Sequence, residues 1–289
     1  MLDEELGPLG CGGHPLPVVV TITVVLNYFT SGSFQGLSGE ICGISQSAAH
    51  HSIKQVMDAM YQSSGQYIRH PTNQVCQAGR VIGFGPLLDS LRLRGQSTMR
   101  VAIKVPSEQP GTLMNRKGFH SLNLEIVCDH CKRILQIGAS FPGSCHNSYI
   151  LRQSQVPQLF RPSKRLYRYI LGEKGRLLKT WLLTPVLNPN TKPEDTNNSC
   201  HMTTWATIEQ AIGLLKVRFR CLDRSGEALQ NSPSRLSCIV VVCCVLYNLV
   251  HQRGVAWRMT TTLNPLLPLR RMKWRFFETR QLMEIHPEI

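Results

Sequence analysis

Acidic side chains are scarce in this chain. Only 18 Asp and Glu stand against 32 Lys and Arg among 289 residues, a formal charge of +14. Such a balance favours a polyanionic partner, because cationic contacts to phosphates release condensed counterions. Long apolar runs are also missing. Residues 17–28 and 238–250 are apolar but fall short of the roughly 20 residues that span a bilayer, so they read as buried core segments and no membrane is expected. The opening Met1-Leu2-Asp3-Glu4-Glu5 is acidic, where a secretory leader is basic. The 11 cysteines are odd in number and scattered. They outline no disulfide framework, and a reducing compartment suits them best. No internal repeat is visible. At 42% hydrophobic and 17% charged, the composition is that of a globular protein rather than a disordered one.

What is present alternates in character along the chain. Residues 1–16 are rich in Gly and Pro and read as a loose N-terminus. Residues 17–75 read as a small helical region. Phe34, Leu37 and Ile41 are spaced for one helix, Gly43 breaks the pattern, and Ser45 is a plausible N-cap. Ile53, Val56, Met57 and Met60 then give a second helix. This is the outline of a helix-turn-helix, with Gln46, His50, His51, Lys54 and Gln55 facing outward; a plain helical hairpin gives the same pattern. Residues 83–96 show no clean period.

From residue 97 to 252 strand and helix signals mix. Met99–Lys104, Asn123–Asp129 and Ile134–Ser140 read as a three-strand meander. A helix is expected from Ser148, then a strand from Leu166 closing at Glu173, then the apolar Trp181–Pro185. Residues 187–200 are polar with Pro and Asn and read as a loop. Trp205, Ile208, Ile212, Leu215 and Phe219 mark the buried stripe of a following helix, and residues 238–250 close the core. The class is α/β: a mixed sheet with flanking helices, preceded by the small helical unit. Residues 253–289 form a basic tail, in which Arg270–Phe277 interleaves cations with aromatics.

Two carboxylates stand out for chemistry. Glu173 closes a strand and Glu209 sits on a helix, with 35 residues between them. Acids so placed can converge on a divalent cation, and metal-dependent phosphodiester cleavage uses hard oxygen ligands of this kind. Basic residues flank Glu173: Arg161, Lys164, Arg165, Arg168, Lys174, Arg176 and Lys179, with Tyr167 and Tyr169 interleaved. Arg116 and Lys117 lie in a loop between strands. Lys164, Arg165, Arg168, Lys174, Arg116 and Lys117, with His51 and Lys54, are the candidate DNA contacts; ordinary solvated surface is the competing reading.

Several strings together resemble the Harbinger transposase-derived nucleases, relatives of the PIF/Harbinger DNA transposases. They include YFTSGSFQ (28–35), GISQ (43–46), VAIK (101–104), NRKGFHSLN (115–123), Pro142-Gly143-Ser144, WLLTP (181–185), RFRCLD (218–223) and CCVLYN (243–248). The resemblance implies an RNase H-like DDE nuclease domain over 97–252, behind a helix-turn-helix region. It further implies a triad of two aspartates and a glutamate that binds Mg²⁺ or Mn²⁺. The usual partner is a Myb/SANT-like DNA-binding protein, and the family is found in nucleus and cytoplasm. Carried over residue by residue, the glutamate falls on Glu209 and the second aspartate on Glu173. The first aspartate falls on Ser97, which has no charge. The family's histidine before VAIK is Arg100, and its Gly-Ser-x-His-Asp-like element ends in Asn147. Asp89 is the nearest carboxylate upstream. Two functions follow as expectations: a metal-dependent DNA nuclease, or a binding protein of the same fold without turnover.

Overall fold

The computed structural model describes residues 16–70, 94–104, 110–159, 170–173, 179–223 and 232–253. Four helices come first: α1 (Val18–Ser31), α2 (Gln35–Ile41), α3 (Gln46–Gln62) and α4 (Ser64–Tyr67). Helix α1 buries Thr21, Val24, Val25, Tyr28 and Phe29, a stripe at helical spacing. Ser45 caps α3, its Oγ accepting from the Ala48 amide at 3.2 Å, a contact worth about 1 kcal/mol. Ile53, Val56, Met57 and Met60 are buried as their spacing predicts. Phe34, Leu37 and Ile41 are placed otherwise. They flank or lie on one helix, but their side chains are 58%, 48% and 61% exposed. Ser38 and Gly39 are the buried residues of α2, because close approach to α3 admits only small side chains on that face.

A five-stranded sheet follows, in the order β3-β2-β1-β4-β5. Its strands are β1 (Arg94–Ala102), β2 (Ser121–Cys128), β3 (Ile134–Pro142), β4 (Ile170–Leu171) and β5 (Leu182–Leu183). β1 pairs antiparallel with β2 and parallel with β4. β4 pairs parallel with β5. Three antiparallel strands continued by two parallel ones give the mixed α/β sheet of the RNase H-like class. β1 begins five residues earlier than the apolar pattern indicates. Its first residues include Gly95 and Gln96, which lack strand character and are held by pairing to Cys128 and Val127.

Both faces of the sheet are covered. Leu122, Leu124, Ile126 and Cys128 of β2 join Met99 and Val101 in one core, with α1, α3 and the C-terminal helices. Val127 points the other way, to Leu151, Val156, Ile170, Trp181 and Leu182. The period of two along β2 therefore serves two layers, and every residue of that strand is buried. Short helices α6 (Asn147–Gln153) and α7 (Val156–Leu159) supply part of the second layer; α5 (Pro110–Leu113) precedes β2.

The 187–200 segment corrects the sequence reading. Helix α8 runs Lys192–Arg218 and starts inside that polar stretch. Glu194 explains the start. Its Oε2 accepts the amides of Asn190 and Thr191 at 2.8 and 3.1 Å, the carboxylate half of a capping box. Those amides also hold the Glu194 carboxyl below its ordinary pKa. Asn198 then ties the helix to Val186, accepting its amide at 2.8 Å and donating to its carbonyl at 2.9 Å. Ile208, Leu215 and Phe219 are buried as expected, while Trp205 and Ile212 are only half-buried.

Helix α9 (Pro233–Gln252) passes through the main core. It is long and apolar enough to cross a membrane by length and composition alone, but Leu236, Ile239, Val240, Val242 and Val245 are fully buried against the other elements. Each such burial contributes about 1.5–3 kcal/mol. Cys128, Cys221, Cys243 and Cys244 are buried free thiols. Burial pushes the Cys128, Cys243 and Cys244 thiols upward in pKa. Asn248 joins three elements. Its Oδ1 accepts the Ile134 amide at 3.0 Å, and its Nδ2 donates to the carbonyls of Ile134 at 2.7 Å and Tyr67 at 3.0 Å.

The Asn248→Leu variant tests that junction. It leaves buried backbone groups of β3 unpaired, at about 1–3 kcal/mol each. Thermal unfolding should fall by about 2–4 °C per kcal/mol lost. An unchanged midpoint would show that Asn248 does not hold the helical region to the sheet.

Candidate active site and nucleic-acid interface

The site forms where α8 crosses β1. Gly95 sets the depth of that crossing: a Cβ there would lie 1.5 Å from Cδ1 of Ile208. With no side chain at 95, α8 settles onto the strand and brings Glu209 over Ser97. Ser97 is buried, and its Oγ donates to Glu209 Oε1 at 3.5 Å. That distance is the outer limit of a hydrogen bond, so the contact is weak. Glu209 itself is solvent-exposed.

Glu173 reaches the same end of the sheet by register. Arg94 pairs with Ile170 and Gly95 with Leu171 in parallel. The pairing ends there, two residues short of Glu173; the same register continued would set Glu173 level with Ser97. Glu173 is half-buried, and its Oε2 accepts from Asn147 Nδ2 at 2.5 Å. Each carboxylate thus takes a hydrogen bond from a neutral group standing where the resemblance places an acid.

Lys216 lies about two turns beyond Glu209 on α8, and its Nζ donates to the Arg100 carbonyl at 3.0 Å. Burial lowers the Lys216 pKa, Asp223 and Glu209 counter that shift, and Arg100 adds to it. Behind the sheet end, His201 of α8 is buried against the backbone of Leu183 and Gly172. Its Nε2 is buried there without a hydrogen-bond partner among the described residues.

The donor set can be weighed against a divalent ion. Mg²⁺ takes oxygen ligands at about 2.0–2.1 Å in octahedral geometry and is held through carboxylates. Ser97 supplies a neutral hydroxyl, and Glu173 shares an oxygen with an amide. Among the described residues no group of three or more His, Cys, Asp or Glu is gathered to hold a metal. The residues present do not fit the cation pair of a complete acidic triad.

The remaining candidates are dispersed. His51 and Lys54 are exposed on the outer face of α3, with Gln46 and His50; Gln55 is half-buried. Arg116 and Lys117 are exposed at the tip of the turn before β2. Asn115 shapes that tip, its Oδ1 accepting the Lys117 amide at 2.8 Å and its Nδ2 donating to Ser121 Oγ at 2.8 Å. Lys179 is exposed beside β5. Arg161, Lys164, Arg165, Arg168, Lys174, Arg176 and Asp89 lie outside the described residues, as does the tail after 253. Sequence reasoning passed over Asn123 and His201, and treated Arg100 and Asn147 only as departures from a motif. Their parts depend on contacts between distant segments, for which no local signal exists.

Residues 97–248 match the sequence model of the DDE superfamily endonucleases. The match begins at Ser97. The chain is 35% identical over 243 residues to a Bos taurus protein named "Putative nuclease HARBI1", covering 83% of this chain and 70% of that one. It is 34% identical over 235 residues to the Homo sapiens protein of that name, covering 81% and 67%. The solved "Mos1 transposase paired-end complex with left transposon end" covers 84% of this chain and 80% of its own at 13% identity; its TM-score of 0.21 carries no weight. The chain belongs to the DDE superfamily endonucleases. Within that class, whose members generally use divalent metals, it stands with the Harbinger transposase-derived nucleases.

His201 provides a pH test. Burial lowers its pKa from 6.5, so the unfolded chain binds its proton first. Stability is then unaffected above about pH 6.5 and is lost as pH falls below it. The unfolding midpoint should drop between pH 6.5 and 5 in the wild-type chain, and less steeply in His201→Gln. Equal slopes in both would remove His201 from the account.

Proposed function

We propose that this chain is a DNA-binding descendant of a metal-dependent nuclease, in which phosphodiester hydrolysis has been lost at Ser97. One observation carries this reading: a serine hydroxyl, not a carboxylate, stands on β1 beneath Glu209. An in-line attack on a phosphodiester needs cations that bind both the attacking and leaving oxygens. With one anionic ligand missing, a divalent ion is less neutralised and more weakly held. The retained fold, the charge of +14, and exposed His51, Lys54, Arg116 and Lys117 support DNA as the ligand. A Myb/SANT-like DNA-binding protein as partner, with residence in nucleus and cytoplasm, accords with the resemblance.

A second reading has its own support. The β1–β4 register, which continued would level Glu173 with Ser97, together with the bond from Ser97 to Glu209, brings both acids to one sheet end. Glu173 and Glu209 would then bind one Mg²⁺ or Mn²⁺, and cleavage would persist at a low rate. Glu173 stands where the family has the shorter aspartate. A misplacement of about 1 Å can cost on the order of 100-fold in rate.

Plasmid nicking in Mn²⁺, run beside Glu209→Ala, separates the two. Equal background in both supports the binding reading; cleavage that disappears in the variant establishes the second. Ser97→Asp supplies a converse test. Without metal, its new carboxylate faces Glu209 and should lower the unfolding midpoint at neutral pH. Saturating Mn²⁺ should reverse the loss, by about 2.7 kcal/mol at 100 times the dissociation constant. No response to the ion would mean that Ser97 is not the defect.

A further inference from the structure

Arg100, Arg116, Gly143, Ser144, Cys145, His146 and Asn147 line a recess of about 70 Å³. A single water needs about 10–15 Å³ of such space, so a group of phosphate size has room. The recess adjoins the acidic site, since Asn147 donates from its wall to Glu173.

Its walls are held in place. Asn123 of β2 is fully buried and serves as the pivot. Its Nδ2 donates to the carbonyls of Pro142, Gly143 and Cys145 at 3.2, 3.3 and 3.0 Å, fixing the turn after β3. Its Oδ1 accepts from Arg100 Nε at 3.2 Å, which aims the guanidinium. Gly143 admits no side chain: a Cβ would lie 2.4 Å from Ser121 Oγ and 2.6 Å from the Leu113 carbonyl. Ser144 ties the turn to the Thr112 carbonyl through its Oγ at 2.5 Å.

The donors suit an oxyanion. Arg100 uses Nε on Asn123, which leaves its terminal nitrogens for the recess. Neither Arg100 nor Arg116 is in an ion pair among the described residues. His146 Nδ1 accepts the Ser148 amide at 3.2 Å, so the neutral ring carries its proton on Nε2 and can donate from there. Guanidinium forks match phosphate oxygens in shape and charge.

We propose that this recess holds one backbone phosphate of bound DNA directly between Arg100 and Arg116, with no bridging cation. The proposal rests on the DNA-binding reading above. It makes the end of the sheet an anion site beside a cation site that has lost an acid. The amide of Asn147 stands between the bound phosphate and Glu173.

A fluorescein-labelled duplex oligonucleotide, titrated against the full chain in EDTA over a range of salt, tests this. Wild-type binding should persist in EDTA. Arg100→Gln and Arg116→Gln should each flatten the plot of log affinity against log salt by about 1, and the double variant by about 1 again rather than 2, because one phosphate is shared. Inorganic phosphate should raise the unfolding midpoint of the wild-type chain and leave the double variant unmoved, which also shows that the variant is folded. Duplex binding with an unchanged salt slope in the variants overturns the recess and leaves the DNA-binding function standing. Additive slopes overturn the shared phosphate, and binding abolished by EDTA overturns its cation-free character. Phosphate binding without any duplex binding keeps the recess and overturns the function. Binding of neither overturns both.

Discussion

The pairing of β1 on both of its edges governs this molecule. One edge runs antiparallel to β2 and the other parallel to β4. Antiparallel neighbours can be joined by a short turn, but a parallel neighbour requires a long crossover. The chain therefore leaves the sheet after β3, covers one face with α6 and α7, and returns at β4. That detour brings Asn147 to Glu173. The other face of β1 is left to α8, which seats at Gly95 and carries Glu209 over Ser97. Three segments far apart in the chain meet because one strand is central.

Around that strand neutral and cationic groups stand beside the two acids. Neutral Asn147 donates to Glu173, and neutral Ser97 makes only a weak contact with exposed Glu209. Arg100 adds positive charge three residues along the strand from Ser97 and is held there by buried Asn123. Buried groups such as Asn123 and Asn248 are costly to change, because losing either strands several backbone partners. An exposed acid such as Glu209 lacks that protection. Packing and buried amides maintain the fold, whereas a few site charges decide the chemistry it can support.

Much of this was legible beforehand. Apolar spacing located α3, and continuous apolar runs marked the segments of α1, β2, β3 and α9 as buried. The Ser45 cap and the Gly43 turn were readable because local sterics and a local hydrogen bond decide them. Motifs around VAIK and WLLTP pointed to a transposase-derived nuclease and singled out Ser97, Glu173 and Glu209. The failures have a common cause. The polar composition of 187–200 reads as a loop, yet a Glu194 cap and the tie from Asn198 to Val186 start α8 at Lys192. Phe34, Leu37 and Ile41 have helical spacing but face solvent, because α2 packs through Ser38 and Gly39.

By itself, then, the sequence determined the class of fold, the family and the absence of an acid at position 97, because each is written in residue identity or short-range periodicity. Tertiary structure alone decided that Ser97 lies against Glu209, that Asn147 reaches Glu173, and that Arg100 and Arg116 share one recess. Those facts depend on strand register and helix seating, which arise from packing between segments that carry no local record of one another.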